Sequence, residues 1–410
     1  MSRGTRVGLG AVLVWALVVR LVLALTPTLI DASDAYDYRR LGLSLAHEGA
    51  YQEVIDDPGS PVNGIRFVAY RPPGYPALRA LLFLFSDQDR PTAVAQALLE
   101  TIAIALAFSI VRRLRGDREA LGAAAALATY ALWVPSLTTE SLTFFLWLTA
   151  LHVAFREGPA RERGLLLGAV LGWAILTRPT SIALVFLLPF LPRAERLRVG
   201  GWTVAAASLV VGAWVARNWL VLGAPALSTN AGIHMAISYD LGSLSDWARM
   251  HRDGLDEARI SSELSGRVRT AFLDRPAQMS LVVLRRGASF FVPTLEDCFE
   301  LRMMETVGFA DQPAAFLPAA LARALSPAAH VLGWAALVVG AIRRDVLARA
   351  LLSVCVVFLI AHCLASRVDI RLVAPVAPFL FLAAGSAIAR LHARAGQALA
   401  RWSAGAPQPA

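Results

Sequence analysis

Asp31-Ala32-Ser33-Asp34-Ala35-Tyr36-Asp37-Tyr38 opens the first sizeable polar stretch of this chain, and Arg71-Pro72-Pro73-Gly74-Tyr75-Pro76 closes it. The stretch follows an apolar run at 7–25 that is long enough to cross a bilayer. A polar segment in that position is a loop at a membrane edge. If residues 36–48 are helical, Asp34 lies at the N-terminal boundary and Asp37 in the first turn, where a carboxylate is favoured. Tyr38, Leu41 and Leu45 would then share one face, as in a helix lying on the membrane surface. Three carboxylates within seven positions have two readings: an acidic cap on an interfacial helix, or an active-site loop.

Working outward, the composition is that of a membrane-embedded chain. Of its 410 residues, 57% are hydrophobic, and the mean hydropathy is +0.56. Both values exclude a soluble enzyme. Apolar runs near spanning length fall at roughly 7–25, 91–111, 119–134, 138–155, 164–177, 180–191, 200–221, 326–342, 347–364 and 371–389. The expected class is an all-α polytopic membrane protein with about ten transmembrane helices in one domain, 1–410. The first run follows Arg3 and Arg6 without a small-residue cleavage pattern, so it reads as a retained helix. The net charge of +9 comes entirely from arginine, which points to a GC-rich bacterial genome and to membrane topology, not to nucleic-acid binding. Cys298, Cys355 and Cys363 show neither a CxxC spacing nor a disulfide framework, and no two histidines form a His-x-x-x-His pair.

Arginine placement orients the chain. With the N-terminus in the cytoplasm, the inner turns carry Arg112, Arg113, Arg115 and Arg118; Arg156, Arg161 and Arg163; and Arg193, Arg196 and Arg198. Arg343, Arg344 and Arg349 follow, and Arg390, Arg394 and Arg401 end the series on the same side. Both termini are then cytoplasmic. A first loop at 26–90, holding the carboxylates, and a long segment at 222–325 with surface helices face outward. Residues 278–292 are apolar but hold Arg285 and Arg286 in the middle, which fits a surface or partly buried helix; 75–85 is too short to span.

A few arginines break the inside bias and gather at outer helix mouths: Arg71, Arg178, Arg217, and the pair Arg367 and Arg371 around Asp369. Each alone is explained by snorkelling or local pairing. Together they suit an anionic phosphate head group at the bilayer surface, or they orient the acidic loop. Glu140 sits at the outer entrance of its span, and Glu100 lies mid-span, where an ionisable residue is a functional candidate or a partner within the bundle.

At these residues the sequence resembles the GT-C class of membrane glycosyltransferases, the class that groups protein mannosyltransferases (glycosyltransferase family 39), aminoarabinose transferases and bacterial Rgt-like enzymes. The matching pieces are Asp34-x-x-x-Tyr38 with Leu41 and Gly49, the block at 71–76, Thr139-Glu140, and Leu176-Thr177-Arg178-Pro179. Arg217-Asn218 with Gly223, Ser228-Thr229-Asn230-x-Gly232, and Arg371 with Pro375 and Pro378 complete an ordered set over most of 7–390. Ala213 replaces the usual Pro of Pro-Trp-x-x-Arg-Asn, Ile233-His234-Met235 lacks an Asn-rich pattern, and Ala35 replaces the Glu of the mannosyltransferase Asp-Glu pair.

The resemblance implies transfer of a hexose or pentose from a polyprenyl-phosphate-linked donor to an envelope lipid, glycan or protein on the outer face of the bacterial plasma membrane. It assigns Asp34 and Asp37 to catalysis, and Arg71, Arg178, Arg217 and Arg371 to the donor phosphate. Tyr38, Tyr75, Glu140 and Asn218 are expected in the cavity. The residue types fit independently. An attacking hydroxyl needs a carboxylate base, and a phosphate leaving group needs positive charge but no general acid. No cofactor and no metal site is expected, although Asp and Glu side chains leave room for Mg²⁺ or Mn²⁺. The competing expectation is a lipid-linked sugar flippase or other transporter, which would more typically show inverted repeats.

Overall fold

Inside a bilayer the backbone must satisfy its own polar groups, so an apolar run of spanning length becomes a helix. Each of the ten predicted runs falls on a helical element. The computed structural model describes residues 1–25, 33–130, 137–291, 313–365 and 375–405. Asp31, Cys298, Arg367, Asp369 and Arg371 therefore lie outside the described residues. The elements run α1 (Arg3–Leu25), α2 (Ser33–Leu43, continued by one π turn, Ser44–Glu48), β1 (Glu53–Val54), β2 (Arg66–Phe67), α3 (Gly74–Phe83) and α4 (Arg90–Arg115). They continue as α5 (Asp117–Thr129), α6 (Thr139–Phe155), α7 (Ala160–Thr177), a 3-10 helix (Pro179–Phe190) and α8 (Arg193–Leu222). Next come α9 (Asn230–Ser238), α10 (Leu244–Arg252), α11 (Glu257–Asp274) and α12 (Pro276–Phe291). The last three are α13 (Pro313–Ile342), α14 (Val346–Ala365) and α15 (Ala377–Gly405). The chain is an all-α polytopic membrane protein. Among the described residues, α1, α4, α8 and α14 are long and apolar enough to cross a membrane unaided by length and composition, while α6 and the 3-10 helix are shorter and apolar.

The bundle is built round α6, which is apolar on every side and so has no lipid or water face to spare. Only Phe145, Thr149 and His152 of that helix escape full burial. It packs on α4 and α7; α4 packs on α1 and α5; and α15 lies against α5 and α13. Helices α7 and α8 approach closely. A Cβ added at Gly168 would stand 2.4 Å from the Thr203 carbonyl oxygen, and one at Gly164 would stand 2.5 Å from the Trp202 Cβ. Small residues at this spacing let two membrane helices meet backbone to backbone.

The arginine-rich turns gather at one end of the bundle, where Arg115 bridges to Asp345 at 2.8 Å and Arg390 to Glu119 at 3.2 Å. Thr5, at the start of α1, donates to Asp117 at the same end. The polar segments lie at the other end. There the β1–β2 hairpin, paired Glu53↔Phe67 and Val54↔Arg66, joins α9, α10 and α11 in a satellite core of Val62, Ile65, Phe67, Ile233, Trp247 and Leu264. Helix α12, the apolar run at 278–292, packs along α14. Its Arg286 is buried and donates to the Ser238 carbonyl at 2.5 Å and the Cys363 carbonyl at 3.1 Å.

Helix α2 is described from Ser33, with Asp34 in the first described turn. It departs from expectation in one way. Its apolar face rests on protein, not on the membrane surface: Leu41 packs with Tyr51, Ala69, Leu176 and Trp214, and Tyr38 packs edge-on against Tyr75. The hairpin and the end of α8 supply the apolar cover that a bilayer would otherwise give.

Close packing makes a direct test. Gly168→Leu forces a bulky side chain into the Thr203 backbone, and overpacking of this kind costs about 1–3 kcal/mol. A lowered thermal midpoint in detergent is expected for Gly168→Leu, with Gly201→Ala, where nothing lies within 4 Å, as the unperturbed control. Equal midpoints for the two variants would refute the backbone contact.

Candidate active site

The site is assembled from a short segment of backbone that is tied down residue by residue. The Val68 amide donates to Glu257 Oε1 at 2.9 Å, and its carbonyl accepts from Arg217 Nη1 at 2.6 Å. The Ala69 carbonyl accepts from the Thr229 amide at 2.9 Å, and the Tyr70 carbonyl from the Asn230 amide at 3.3 Å. The Arg71 carbonyl takes the Tyr51 hydroxyl at 2.9 Å. Glu257 also accepts from the Thr229 hydroxyl at 2.9 Å, so α11 and the start of α9 hold the segment jointly. Gly74 completes the seat. A Cβ there would meet the Thr177 amide nitrogen at 2.5 Å, and the Gly74 carbonyl accepts from Trp173 Nε1 at 3.0 Å. The blocks at 71–76 and 176–179, remote in sequence, are thus packed on one another.

This strap delivers the Arg71 guanidinium to α2. Its Nη2 donates to Asp34 Oδ1 at 2.6 Å and to Asp37 Oδ2 at 2.9 Å, and its Nε reaches Asp37 Oδ2 at 3.3 Å. The Tyr38 and Tyr70 rings lie under the same guanidinium at 5.5 and 5.1 Å. Asp34 is the more open carboxylate, with a side chain 25% exposed against 13% for Asp37. Burial pushes the Asp37 carboxyl above the usual range, opposed by Arg71 and Arg40 and reinforced by Asp34.

Asp34, Asp37 and Arg71 line a cavity of about 700 Å³ whose far wall includes His234 of α9 and Trp247 of α10. His234 is exposed to this space. Local desolvation and the nearby Arg71 push its imidazole below the usual range.

The other predicted site residues fall into two groups. Tyr38, Tyr75 and Glu140 are buried beneath the cavity and do not line it. The Tyr75 hydroxyl donates to Gln96, and Glu140 faces Arg178 at 3.7 Å. Asn218 is also buried; it fixes the turn after α8 by donating to the Ala226 carbonyl at 2.8 Å. Arg217 is committed to backbone carbonyls at Val68 and Tyr51 and lies over the Trp214 ring at 5.0 Å. Arg371 lies outside the described residues. Among the described residues no group of acidic, His and Cys side chains is arranged to hold a metal ion.

Four residues that matter here escaped the sequence reading. Arg20 is fully buried in α1 and pairs with Glu100 at 2.8 Å, giving that mid-span carboxylate its partner. Arg79 is fully buried in α3, pairs with Asp89 and donates to the Ala35 carbonyl at 2.9 Å, fixing the start of α2. Glu257 anchors the strap, and Glu53 is buried on β1 opposite Phe67. A lone arginine deep in an apolar run was a readable signal for Arg20; the glutamates carried none.

A model of the dolichyl-phosphate-mannose-protein mannosyltransferase family matches residues 70–220, from the strap to the end of α8. The archaeal oligosaccharyltransferase AglB from Archaeoglobus fulgidus, solved with an inhibitory peptide and a dolichol-phosphate, superposes at a TM-score of 0.57 with 16% identity, covering 100% of this chain and 53% of that one. An apo form of the Archaeoglobus fulgidus oligosaccharyltransferase gives a TM-score of 0.52 at 16% identity, over 96% of this chain and 52% of that one. ArnT from Cupriavidus metallidurans, bound to undecaprenyl phosphate, is similar at 0.46 and 17% identity, over 94% and 60%. No curated protein matches by sequence. The fold is that of the GT-C membrane glycosyltransferases, the class that the ordered motifs resemble. The chain spans about half the length of the archaeal enzyme it matches.

The strap is testable at Glu257. Glu257→Ala removes the acceptor for the buried Val68 amide and the Thr229 hydroxyl, an omission that costs roughly 1–3 kcal/mol per stranded group. Faster amide hydrogen exchange across 66–71 is expected, and Glu257→Gln, which keeps an acceptor oxygen, should fall between. Unchanged protection in the Ala variant would show that the segment is held by other bonds.

Proposed function

We propose that the protein is a glycosyltransferase that moves a hexosyl or pentosyl group from a polyprenyl-phosphate-linked donor to an acceptor at the outer face of a bacterial plasma membrane. The observation that carries this is the Arg71 fork: one guanidinium shared by two carboxylates at the wall of a cavity. A donor phosphate competes for Arg71 with the Asp34 oxygen, because a planar guanidinium accepts a phosphate and a carboxylate in the same geometry. When the phosphate takes that place, Asp34 is released beside the reacting sugar as a free base.

The acceptor hydroxyl then gives its proton to Asp34 as its oxygen bonds to the anomeric carbon. The bond from that carbon to the phosphate oxygen breaks, and the electron pair leaves with polyprenyl phosphate, stabilised by Arg71. Asp37 keeps Arg71 in place throughout. Arg178 and Arg371 are the remaining candidates for phosphate contact, and Arg217 contributes by holding the strap. No step here is assigned to a metal or a redox cofactor, although Asp and Glu side chains leave room for Mg²⁺ or Mn²⁺. An envelope lipid, glycan or protein supplies the hydroxyl.

The outer orientation rests on the arginine bias of the opposite turns. A cysteine at Gly242 is expected to react with an impermeant thiol reagent from the outer face. Cysteines at Arg161 and Arg344 should react only after permeabilisation, and outside labelling of position 344 would overturn the orientation.

Asp34→Asn keeps the shape and loses the base. It is expected to lower turnover of a polyprenyl-phosphate-linked sugar by about two to four orders of magnitude, while Asp37→Asn costs less. Release of free polyprenyl phosphate is the measurement. Near-normal release by Asp34→Asn, with collapse in Asp37→Asn, would transfer the base to Asp37. Movement of the lipid across the bilayer without cleavage would make the protein a flippase.

A further inference from the structure

We propose that Glu53 is a positioning residue for the donor phosphate, kept as a neutral acid behind Arg71 so that the arginine remains free to exchange a carboxylate for the phosphate. The proposal rests on the donor reading given above. Glu53 lies on β1 with 3% of its surface exposed, and among the described residues both carboxyl oxygens are buried without a hydrogen-bond partner. An ionised carboxylate in that setting would pay full desolvation with nothing to solvate it. The neutral acid does not.

Helix α2 packs on β1, and the charged and titratable groups within electrostatic reach of Glu53 are Asp37 and Arg40 of α2, Arg71 and Tyr70 of the strap, Glu257 of α11 and Tyr51 before β1. Burial pushes the Glu53 carboxyl up to about 8, Asp37 adds to the shift, Arg71 and Arg40 oppose it, and Glu257 adds the smallest part. Below that pH Arg71 faces two competing carboxylates, Asp34 and Asp37. Above it a third negative charge joins them inside a poorly hydrated pocket, where charges interact more strongly than in water. The guanidinium is then held more tightly by the protein, and an incoming phosphate meets added repulsion. Glu53 does not line the cavity, so it acts through Arg71 and not by contact.

Undecaprenyl phosphate in nanodiscs is the probe. Its phosphate is already fully ionised above pH 8, so the ligand contributes no further titration there. The parent protein is expected to lose affinity as the pH rises through about 8 to 9.5, by at most tenfold per pH unit, the limiting slope of a single ionisation. Glu53→Gln, which imitates the neutral acid, should hold its neutral-pH affinity to pH 9.5. Parallel pH slopes in the two proteins, or a flat parent, would overturn the proposal. Infrared difference spectra give the second measurement: a protonated-carboxyl band at pH 7 in the parent, absent from Glu53→Gln. No such band means that Glu53 is ionised, and the idea fails there. With the band present but no undecaprenyl phosphate bound at any pH, the donor reading fails, and the gating role falls with it.

Discussion

A guanidinium placed between two carboxylates has a sharply defined rest position only if its own backbone cannot move. Arg71 satisfies this because every residue from Val68 to Arg71 gives at least one main-chain hydrogen bond to another element. Those partners come from α8, α11, the start of α9 with its cap Thr229, and the run before β1. The outer segments are thus the frame in which one arginine is hung, and α2 is drawn to that arginine through Asp34 and Asp37. Each bond is worth only about 1 kcal/mol net, but leaving any of these buried groups unpaired costs more, so the strap is held as a set.

A second buried polar chain runs beneath the site. Arg20 bonds Glu100, Glu100 accepts from Ser141 at 2.7 Å, Ser141 meets Gln96, and Gln96 takes the Tyr75 hydroxyl. The Arg20 guanidinium also caps the carbonyls of Leu127, Ala128 and Tyr130 at the end of α5. A buried ion pair is weak evidence for stability, because desolvation offsets the Coulomb gain, but removing one partner strands the other. The pair joins α1, α4 and α5, while Ser141 brings in α6. Tyr75, at its far end, packs against Tyr38, which lies beneath the Arg71 guanidinium.

Much of this was legible from residue order. Helical segments follow from apolar length alone, and all ten predicted runs coincide with helical elements because a bilayer permits little else. The carboxylate-rich stretch and the block at 71–76 were recognisable because charge and proline at a membrane edge are unusual. What sequence could not give was partnership. Arg217 looks like a phosphate ligand by type, but it spends its donors on the carbonyls of Val68 and Tyr51. Glu140 reads as a cavity residue and lies instead against Arg178. The face of Tyr38, Leu41 and Leu45 was rightly apolar, but hydrophobicity does not distinguish lipid from the side chains of Trp214 and Leu176. Glu53 is invisible to pattern because a two-residue strand has no periodicity to break.

The glycine face of α7 has a mechanical consequence. With Gly164, Gly168 and Gly172 all pressed on the α8 backbone or on side chains against it, the two helices form one stiff beam whose halves cannot slide or twist independently. Arg178 stands at the end of one half and Arg217 near the end of the other, so the spacing between them behaves as a fixed gauge. A motion that changes this spacing has to break the glycine packing first, so the two arginines shift together.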